Sequence, residues 1–126
     1  MTNALWCVLV AALLPLAGSM AAKIGGQMPA RSNHQVREWL DGLKGWTRRA
    51  HWFQPNSFEA FPAFAAAVLV AQYVHAPQAR VDQLAYAFIG LRIAYFIFYL
   101  ADKATLRSIT WIGGLACTIG LFALGA

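Results

Sequence analysis

The chain has 126 residues, of which 60% are hydrophobic and only 12% are charged, and its formal net charge is +5. Soluble domains carry about 25% charged residues, so this composition argues against a soluble enzyme and favours a membrane protein. No basic run is interleaved with aromatic residues, so the sequence predicts no nucleic-acid partner. Cys7 and Cys117 lie in separate apolar runs without a shared motif, which predicts neither a disulfide nor a metal site.

Four apolar runs predict helices that span a membrane. Each is close to the ~17 to 25 residues that a helix needs to cross ~30 Å of hydrocarbon. The runs cover residues 4–22, 57–74, 84–100 and 109–126. The first could instead be a secretory signal, because Ser19, Met20 and Ala21 resemble a cleavage site, but no basic residue precedes its apolar core. We therefore predict an all-α, multi-pass integral membrane protein, with residues 1–126 as one domain.

The first connection, residues 23–55, is strongly basic. It contains six of the ten Lys and Arg residues and only two acidic ones. The basic residues are Lys23, Arg31, Arg37, Lys44, Arg48 and Arg49. By the positive-inside rule this connection is cytoplasmic, which places both termini outside.

Within that connection, apolar residues recur at three- and four-residue spacing between charged ones. They are Val36, Trp39, Leu40, Leu43 and Trp46. This pattern is typical of a short amphipathic helix at the membrane interface. Because Gly42 and Gly45 interrupt it, an irregular lid over a site at that membrane face is the alternative.

The second span is predicted to start near Asn56, directly after Pro55. Asn56 could simply cap that helix, and Glu59 in a first turn would complement the helix dipole. A carboxylate at the mouth of a membrane span is costly, however, and indicates a functional site by default. Asn56 and Glu59 share a helix face with Ala63 and Val70, so a polar pair lies at one end of a small-residue stripe.

The third span contains Arg92 inside an apolar run. Tyr95, Tyr99 and Asp102 follow it at three- and four-residue spacing, which predicts one common face. Two simpler interpretations stay open: Arg92 pairs with Glu59 to hold the helices together, and the tyrosines belong to an interfacial belt. The short connection after this span returns Arg107 to the same membrane face, as an anchor or as part of a site.

Taken together, these residues resemble the membrane-associated proteins in eicosanoid and glutathione metabolism, the MAPEG family, and in particular a bacterial-type member. The matching pieces are Asn56-x-x-Glu59-x-x-Pro62 opening the second span, Arg92-x-x-Tyr95-x-x-x-Tyr99 on the third, and Arg107 before the fourth. The resemblance implies a four-helix bundle per subunit, a homotrimer in a bacterial inner membrane, and glutathione bound between subunits near the cytoplasmic side.

The resemblance also implies roles for these residues. Asn56 and Glu59 would bind polar groups of glutathione, with Glu59 at its amine, while Tyr95 and Tyr99 would line its thiol and backbone, with Arg92 nearby. Arg107 would face the sulfur and favour the thiolate, which is the nucleophile. Glutathione would be a co-substrate, no metal would be needed, and the second substrate would be a lipophilic small molecule that reaches the site from the membrane lipids.

The sequence departs from the family pattern at Trp52. Family members usually carry an arginine four residues before the asparagine of the second span, and this chain has its Arg49-Ala50 pair three residues earlier. Arg48 or Arg49 could replace the missing group. We therefore expect either a glutathione transferase or peroxidase acting on lipophilic electrophiles, or a non-catalytic membrane protein of the same fold that binds a lipid or a thiol metabolite.

Overall fold

The computed structural model describes residues 1–126 and is all-helical, as the sequence predicts. It contains five α-helices and a short 3-10 helix, Ala30–Gln35. The α-helices are α1 (Asn3–Gly25), α2 (Val36–Asp41), α3 (Gly45–Tyr73), α4 (Gln78–Leu100) and α5 (Ala104–Leu124). Three of them, α1, α4 and α5, are long and apolar enough to cross a membrane. Residues 57–73 of the predicted second span lie in α3, which is less apolar than these three helices and is not among them.

The long helices are packed side by side, with consecutive helices antiparallel. The principal contacts are those of α1 with α3 and of α4 with α5, and α3 also contacts α4 and α5. At one end, Asp82 of α4 accepts a hydrogen bond from the Ala4 N–H of α1, at 2.9 Å. The central core contains Phe64 of α3 stacked on Phe88 of α4, with ring centroids 3.9 Å apart. α1 is thus an integral part of the packed structure.

The predicted start of the second span was wrong. α3 begins at Gly45, twelve residues before the predicted start at residue 57, and Pro55 lies inside it. Asn56 is therefore a mid-helix residue and does not cap α3. A proline removes only one helical hydrogen bond, and the turns before it are stabilised by packing, since Ala50 and Phe53 are fully buried. The close approach of α1 explains why residue 18 is glycine: a Cβ there would lie 2.5 Å from the Ala50 carbonyl oxygen.

The other boundaries differ by several residues. α4 begins at Gln78 instead of residue 84, and α5 begins at Ala104 instead of residue 109. Arg107 consequently lies in the first turns of α5 and not before it. Asp102 lies in the turn between these helices with a φ of 59°, so it does not share a helix face with Arg92.

The amphipathic segment of the first connection forms a short helix, α2, that ends at Asp41 and is capped by Gly42. Its Leu40 is buried against Ala22 of α1 and Ala50 of α3, and Trp39 packs at the edge of this small cluster. Trp46 belongs to α3 instead. The segment is therefore packed across the end of the helices that also carries most of the basic residues.

Candidate polar site between α3, α4 and α5

Arg92 of α4 is the centre of a polar site inside the helical packing. Its side chain is 3% exposed, and its Nη2 donates hydrogen bonds to Asn56 Oδ1 at 2.7 Å and to Ser57 Oγ at 3.0 Å. The guanidinium also lies 4.4 Å from the ring centroid of Tyr95. No carboxylate lies within 4.0 Å of the Arg92 guanidinium. The only basic and acidic side chains that approach so closely in this structure are His51 and Asp41. The Arg92 charge is thus stabilised by neutral hydrogen-bond acceptors and by the rings of Tyr95 and Phe53, the latter 5.4 Å away, and not by a carboxylate.

Glu59 faces the same space as Arg92 without touching it. Both side chains line a cavity of about 150 Å³ between α3, α4 and α5. The rest of the wall is mostly apolar and consists of Ala60, Ala63, Phe88, Trp111, Gly114, Leu115 and Thr118. Glu59 is exposed, and no ion pair joins it to Arg92. The simpler interpretation in which these two residues pair to hold the helices together is therefore wrong for this structure.

A second, more open cavity lies next to the first, on the side of α5 where that helix begins. Its volume is about 420 Å³, and its lining includes Asn56, Tyr95 and Arg107. The Arg107 guanidinium lies 4.4 Å from the ring centroid of Tyr99, which meets the Tyr95 ring edge-on at 5.6 Å. The fold therefore brings Asn56, Glu59, Arg92, Tyr95, Tyr99 and Arg107 together around two adjoining cavities.

Sequence reasoning missed two residues of this site. Ser57 accepts a hydrogen bond from Arg92, and Trp111 lines both cavities. Trp111 follows Arg107 by four residues, so the helical spacing alone would have placed it on the same face. Ser57 gave no comparable signal, because Asn56 at the neighbouring position is the more obvious polar partner.

Arg49 lies at the edge of the site and is engaged by the backbone. Its Nε donates to the Tyr99 carbonyl at 3.0 Å, and its Nη2 donates to the Leu100 carbonyl at 3.1 Å. Both carbonyls belong to the last turn of α4. The Tyr99 carbonyl also accepts from the Asp102 N–H at 3.2 Å, whereas no backbone donor reaches the Leu100 carbonyl, so Arg49 caps that helix. Arg48 is exposed instead. Its Nη2 donates one long hydrogen bond to the Asp41 carbonyl, at 3.5 Å, and its guanidinium lies 5.2 Å from the Trp52 ring centroid.

This difference predicts that substitutions at the two neighbouring arginines change the stability of the protein by different amounts. Arg49→Ala should lower the free energy of unfolding by about 1–3 kcal/mol, because it leaves two helix-end carbonyls without their charged donor. Arg48→Ala, the matched control, should change it by less than about 0.5 kcal/mol, as expected at an exposed position. Thermal unfolding in detergent, followed by circular dichroism at one protein concentration, measures both. Equal losses in the two variants would contradict the capping role.

The apolar helices and the buried polar site between them define an integral membrane protein. The MAPEG family model matches residues 3–126, nearly the whole chain. The chain therefore belongs to the MAPEG family, as its sequence motifs indicate, and is a membrane protein of the glutathione and eicosanoid metabolism family. A search of the curated proteins finds no match.

Proposed function

We propose that the protein is a glutathione-dependent transferase or peroxidase that acts on lipophilic electrophiles. The observation that carries this proposal is the pair of opposite charges around one cavity. Arg92 is buried without a carboxylate, and Glu59 faces the same cavity without a cation. Because the Arg92 charge is buried, and a buried charge is costly unless it is paired, the cavity favours a ligand that brings an anionic group. The exposed Glu59 adds a contact for a cationic group of the same ligand. Glutathione has an ammonium group, two carboxylates and a thiol that can ionise.

The geometry suggests a role for each residue. Glu59 would accept hydrogen bonds from the glutathione ammonium, and Asn56, fixed by Arg92, would bind a backbone amide. Tyr95 and Tyr99 would line the peptide and the sulfur. Arg107 would stabilise the thiolate, together with the positive end of the α5 dipole, because Arg107 lies in the first turns of that helix.

The proposed reaction requires no redox partner in the transferase case. The glutathione thiol loses its proton to water, and the thiolate forms a carbon–sulfur bond at the electrophilic carbon. The bond from that carbon to its leaving group breaks, and the leaving group departs with the electron pair. A fixed guanidinium favours the thiolate over the thiol. The effect is strong in a medium of low dielectric, because opposite charges attract each other more strongly there than in water.

Arg48, on the same helix as Asn56, offers a contact for a carboxylate of glutathione. Because Arg49 is engaged by the α4 carbonyls, Arg48 is the better candidate to bind a glutathione carboxylate. Arg48 lies eight residues before Asn56 on α3, or about 12 Å along the helix axis. An extended tripeptide spans about 10 Å. A ligand bound at Asn56 could therefore extend over Trp52 to the Arg48 guanidinium.

We further propose that the protein is a homotrimer of four-helix subunits with its basic end in the cytoplasm, in a bacterial inner membrane. Large apolar side chains are exposed along every long helix, among them Leu13, Leu69, Ile97 and Ile119, so these faces need lipid or another subunit to cover them. The basic end, which includes Lys23, Arg48 and Lys103, would face the cytoplasm by the positive-inside rule.

Conjugation of glutathione to a reactive aryl halide by the purified protein in nanodiscs tests the proposed function. We expect turnover above the uncatalysed rate and saturation with glutathione. Glu59→Gln should weaken glutathione binding by roughly 10- to 100-fold, because it removes the charge that pairs with the ammonium. Glu38→Gln, at an exposed acid that lines neither of the two cavities of this site, is the matched control and should bind glutathione normally.

The same experiment separates the enzyme from the non-catalytic alternative. Tight glutathione binding without turnover would support a binding protein, an outcome that Trp52 at the position of the usual family arginine keeps open. If the protein neither bound glutathione nor conjugated it, the whole proposal would be overturned.

A further inference from the structure

A separate cavity lies in the first connection and shares no lining residue with the two cavities of the polar site. Its volume is about 380 Å³, within the range of roughly 300 to 1,000 Å³ that small-ligand sites occupy. Trp39 is the only apolar side chain in its wall. The polar ones come from the 3-10 helix and the start of α2, and are Arg31, Ser32, His34, Gln35 and Glu38. This cavity is therefore suited to a polar occupant.

The wall of this cavity carries one positive and one negative side chain that do not pair with each other. Arg31 and Glu38 are both exposed, and neither has an oppositely charged side chain within 4.0 Å. A simple anion at this wall would be repelled by Glu38, and a simple cation would be repelled by Arg31. Charge complementarity therefore favours a zwitterion, whose anionic and cationic groups can each face the opposite charge.

The cavity lies close to the membrane surface. The Met28 N–H donates to the Lys23 carbonyl at 3.0 Å, which holds the connection against the last turn of α1. In that turn Ile24 is apolar and 70% exposed, whereas Lys23 beside it is charged, so the end of α1 marks the boundary between lipid and water. The Trp39 ring reaches this end, because a Cβ at Gly26 would lie 2.8 Å from its Cη2. One wall of the cavity is therefore anchored at the level of lipid headgroups.

The residue types in the wall select the two charged groups of the ligand. Arg31 is suited to a phosphate, because a guanidinium donates two parallel hydrogen bonds to phosphate oxygens. Glu38 is suited to a primary ammonium, whose N–H groups donate to a carboxylate. A quaternary ammonium has no N–H group and is recognised by cages of several aromatic rings, whereas Trp39 is the one ring here. The wall therefore favours phosphoethanolamine over phosphocholine.

We propose that this cavity binds the phosphoethanolamine headgroup of a membrane phospholipid. The phosphate would accept hydrogen bonds from Arg31 and Ser32, and the ammonium would donate to Glu38 and lie near the Trp39 ring. Contacts with exposed charges are individually weak, so a dilute soluble ligand would bind poorly. A lipid is instead presented at high local concentration at the membrane surface, where weak contacts suffice. This inference does not rest on the proposed glutathione chemistry.

Native mass spectrometry of the full protein, released from detergent, tests the inference. The probes are phosphatidylethanolamine, phosphatidylcholine and phosphatidylglycerol with identical acyl chains. We expect one saturable ethanolamine lipid per chain, with an affinity roughly fivefold above that of the other two lipids. The choline lipid lacks the N–H donors for Glu38, and the glycerol lipid has no cation at all. Equal binding of the three lipids would overturn the inference.

Substitutions at the two charged residues locate the binding. Arg31→Ala should lower the affinity for the ethanolamine lipid roughly fivefold, because the phosphate loses its charged donor. Glu38→Gln should remove the preference over phosphatidylglycerol, since it removes both the contact with the ammonium and the repulsion of an anionic headgroup. An unchanged preference in Glu38→Gln would contradict the proposed site.

Arg37→Ala and Asp102→Asn are the matched controls. Both residues are exposed charges at the same end of the helices and do not line this cavity. Asparagine also tolerates the positive φ of residue 102, which is 59°. Both variants should therefore bind the three lipids as the original protein does. The same losses in these controls as in Arg31→Ala and Glu38→Gln would mean that the general charge of this end attracts the lipids, and the inference would be overturned.

Glycerophosphoethanolamine, which has the same headgroup without acyl chains, separates a lipid site from a site for a soluble metabolite. We expect it to displace the bound lipid only at millimolar concentrations. If it bound as tightly as the lipid, the assignment to a membrane phospholipid would be overturned. Failure here is distinguishable from failure of the proposed function, because no glutathione is present. Glu38→Gln separates the two sites further, since it should change the lipid preference and leave glutathione binding unchanged.

Discussion

Arg107→Ala should lower the rate of glutathione conjugation at pH 7 by roughly 30-fold, because the ionised fraction of the bound thiol falls from nearly complete to about 3%. The Arg107 side chain is held by α5 and by the Tyr99 ring, 4.4 Å away, at the edge of the cavity that also includes Asn56 and Tyr95. A guanidinium fixed there lowers the pKa of a bound thiol below its ordinary value of about 8.5.

The pH dependence distinguishes this role from a general loss of structure. With Arg107 present, the bound thiol is ionised at pH 7, and the rate should change little between pH 7 and pH 9. Without it, the pKa of the bound thiol returns toward about 8.5, so only about 3% is thiolate at pH 7. The rate of Arg107→Ala should therefore rise almost tenfold per pH unit until the pH approaches that pKa. The pH profile at saturating glutathione measures this.

Two further variants control for charge and position. Arg107→Lys keeps a cation and should retain part of the activity and most of the flat pH profile, although it lacks the planar guanidinium. Lys103→Ala removes an exposed cation four residues earlier at the same end and should leave both rate and profile unchanged. If Arg107→Ala shows the flat profile of the original protein, another group ionises the thiol.

The sequence was sufficient to find the polar residues that meet in the structure. Arg92 and Asn56 are conspicuous because polar side chains are rare in apolar runs, and the antiparallel order of the helices brings them to one level. In the structure Arg92 contacts Asn56, at 2.7 Å, and not Glu59, the partner that the sequence suggested. Periodicity also placed Tyr95 and Tyr99 next to each other, one helical turn apart.

What the sequence could not predict depends on tertiary contacts. Pro55 suggested a helix start, but the buried Ala50 and Phe53 before it maintain the helix because they pack against neighbouring helices. Arg48 and Arg49 are adjacent and chemically identical, and only the position of the α4 carbonyls determines that Arg49 caps α4 while Arg48 makes one long, exposed hydrogen bond to Asp41.

Arg92→Met should lower the free energy of unfolding by about 2–4 kcal/mol, because it leaves Asn56 Oδ1 and Ser57 Oγ without their charged donor in a buried place. The expected loss exceeds that for Arg49→Ala, since Arg92 is 3% exposed and water cannot replace its hydrogen bonds as readily. Thermal or denaturant unfolding in detergent measures it. The protein concentration must be constant because an oligomer's stability depends on it.

A double-mutant cycle shows whether the effect comes from the hydrogen bonds themselves. Ser57→Ala alone should be destabilising, since Arg92 loses an acceptor at 3.0 Å, but in the Arg92→Met background it removes an orphaned hydroxyl and should be neutral or stabilising. The coupling energy should then be about 1 kcal/mol or more. Arg107→Met, at an arginine that contacts only a ring, is the control and should change stability by less than about 0.5 kcal/mol. If the free-energy changes of the two single variants add up to that of the double variant, Arg92 is held by packing alone. The hydrogen bonds of its buried charge would then not be what holds the site together.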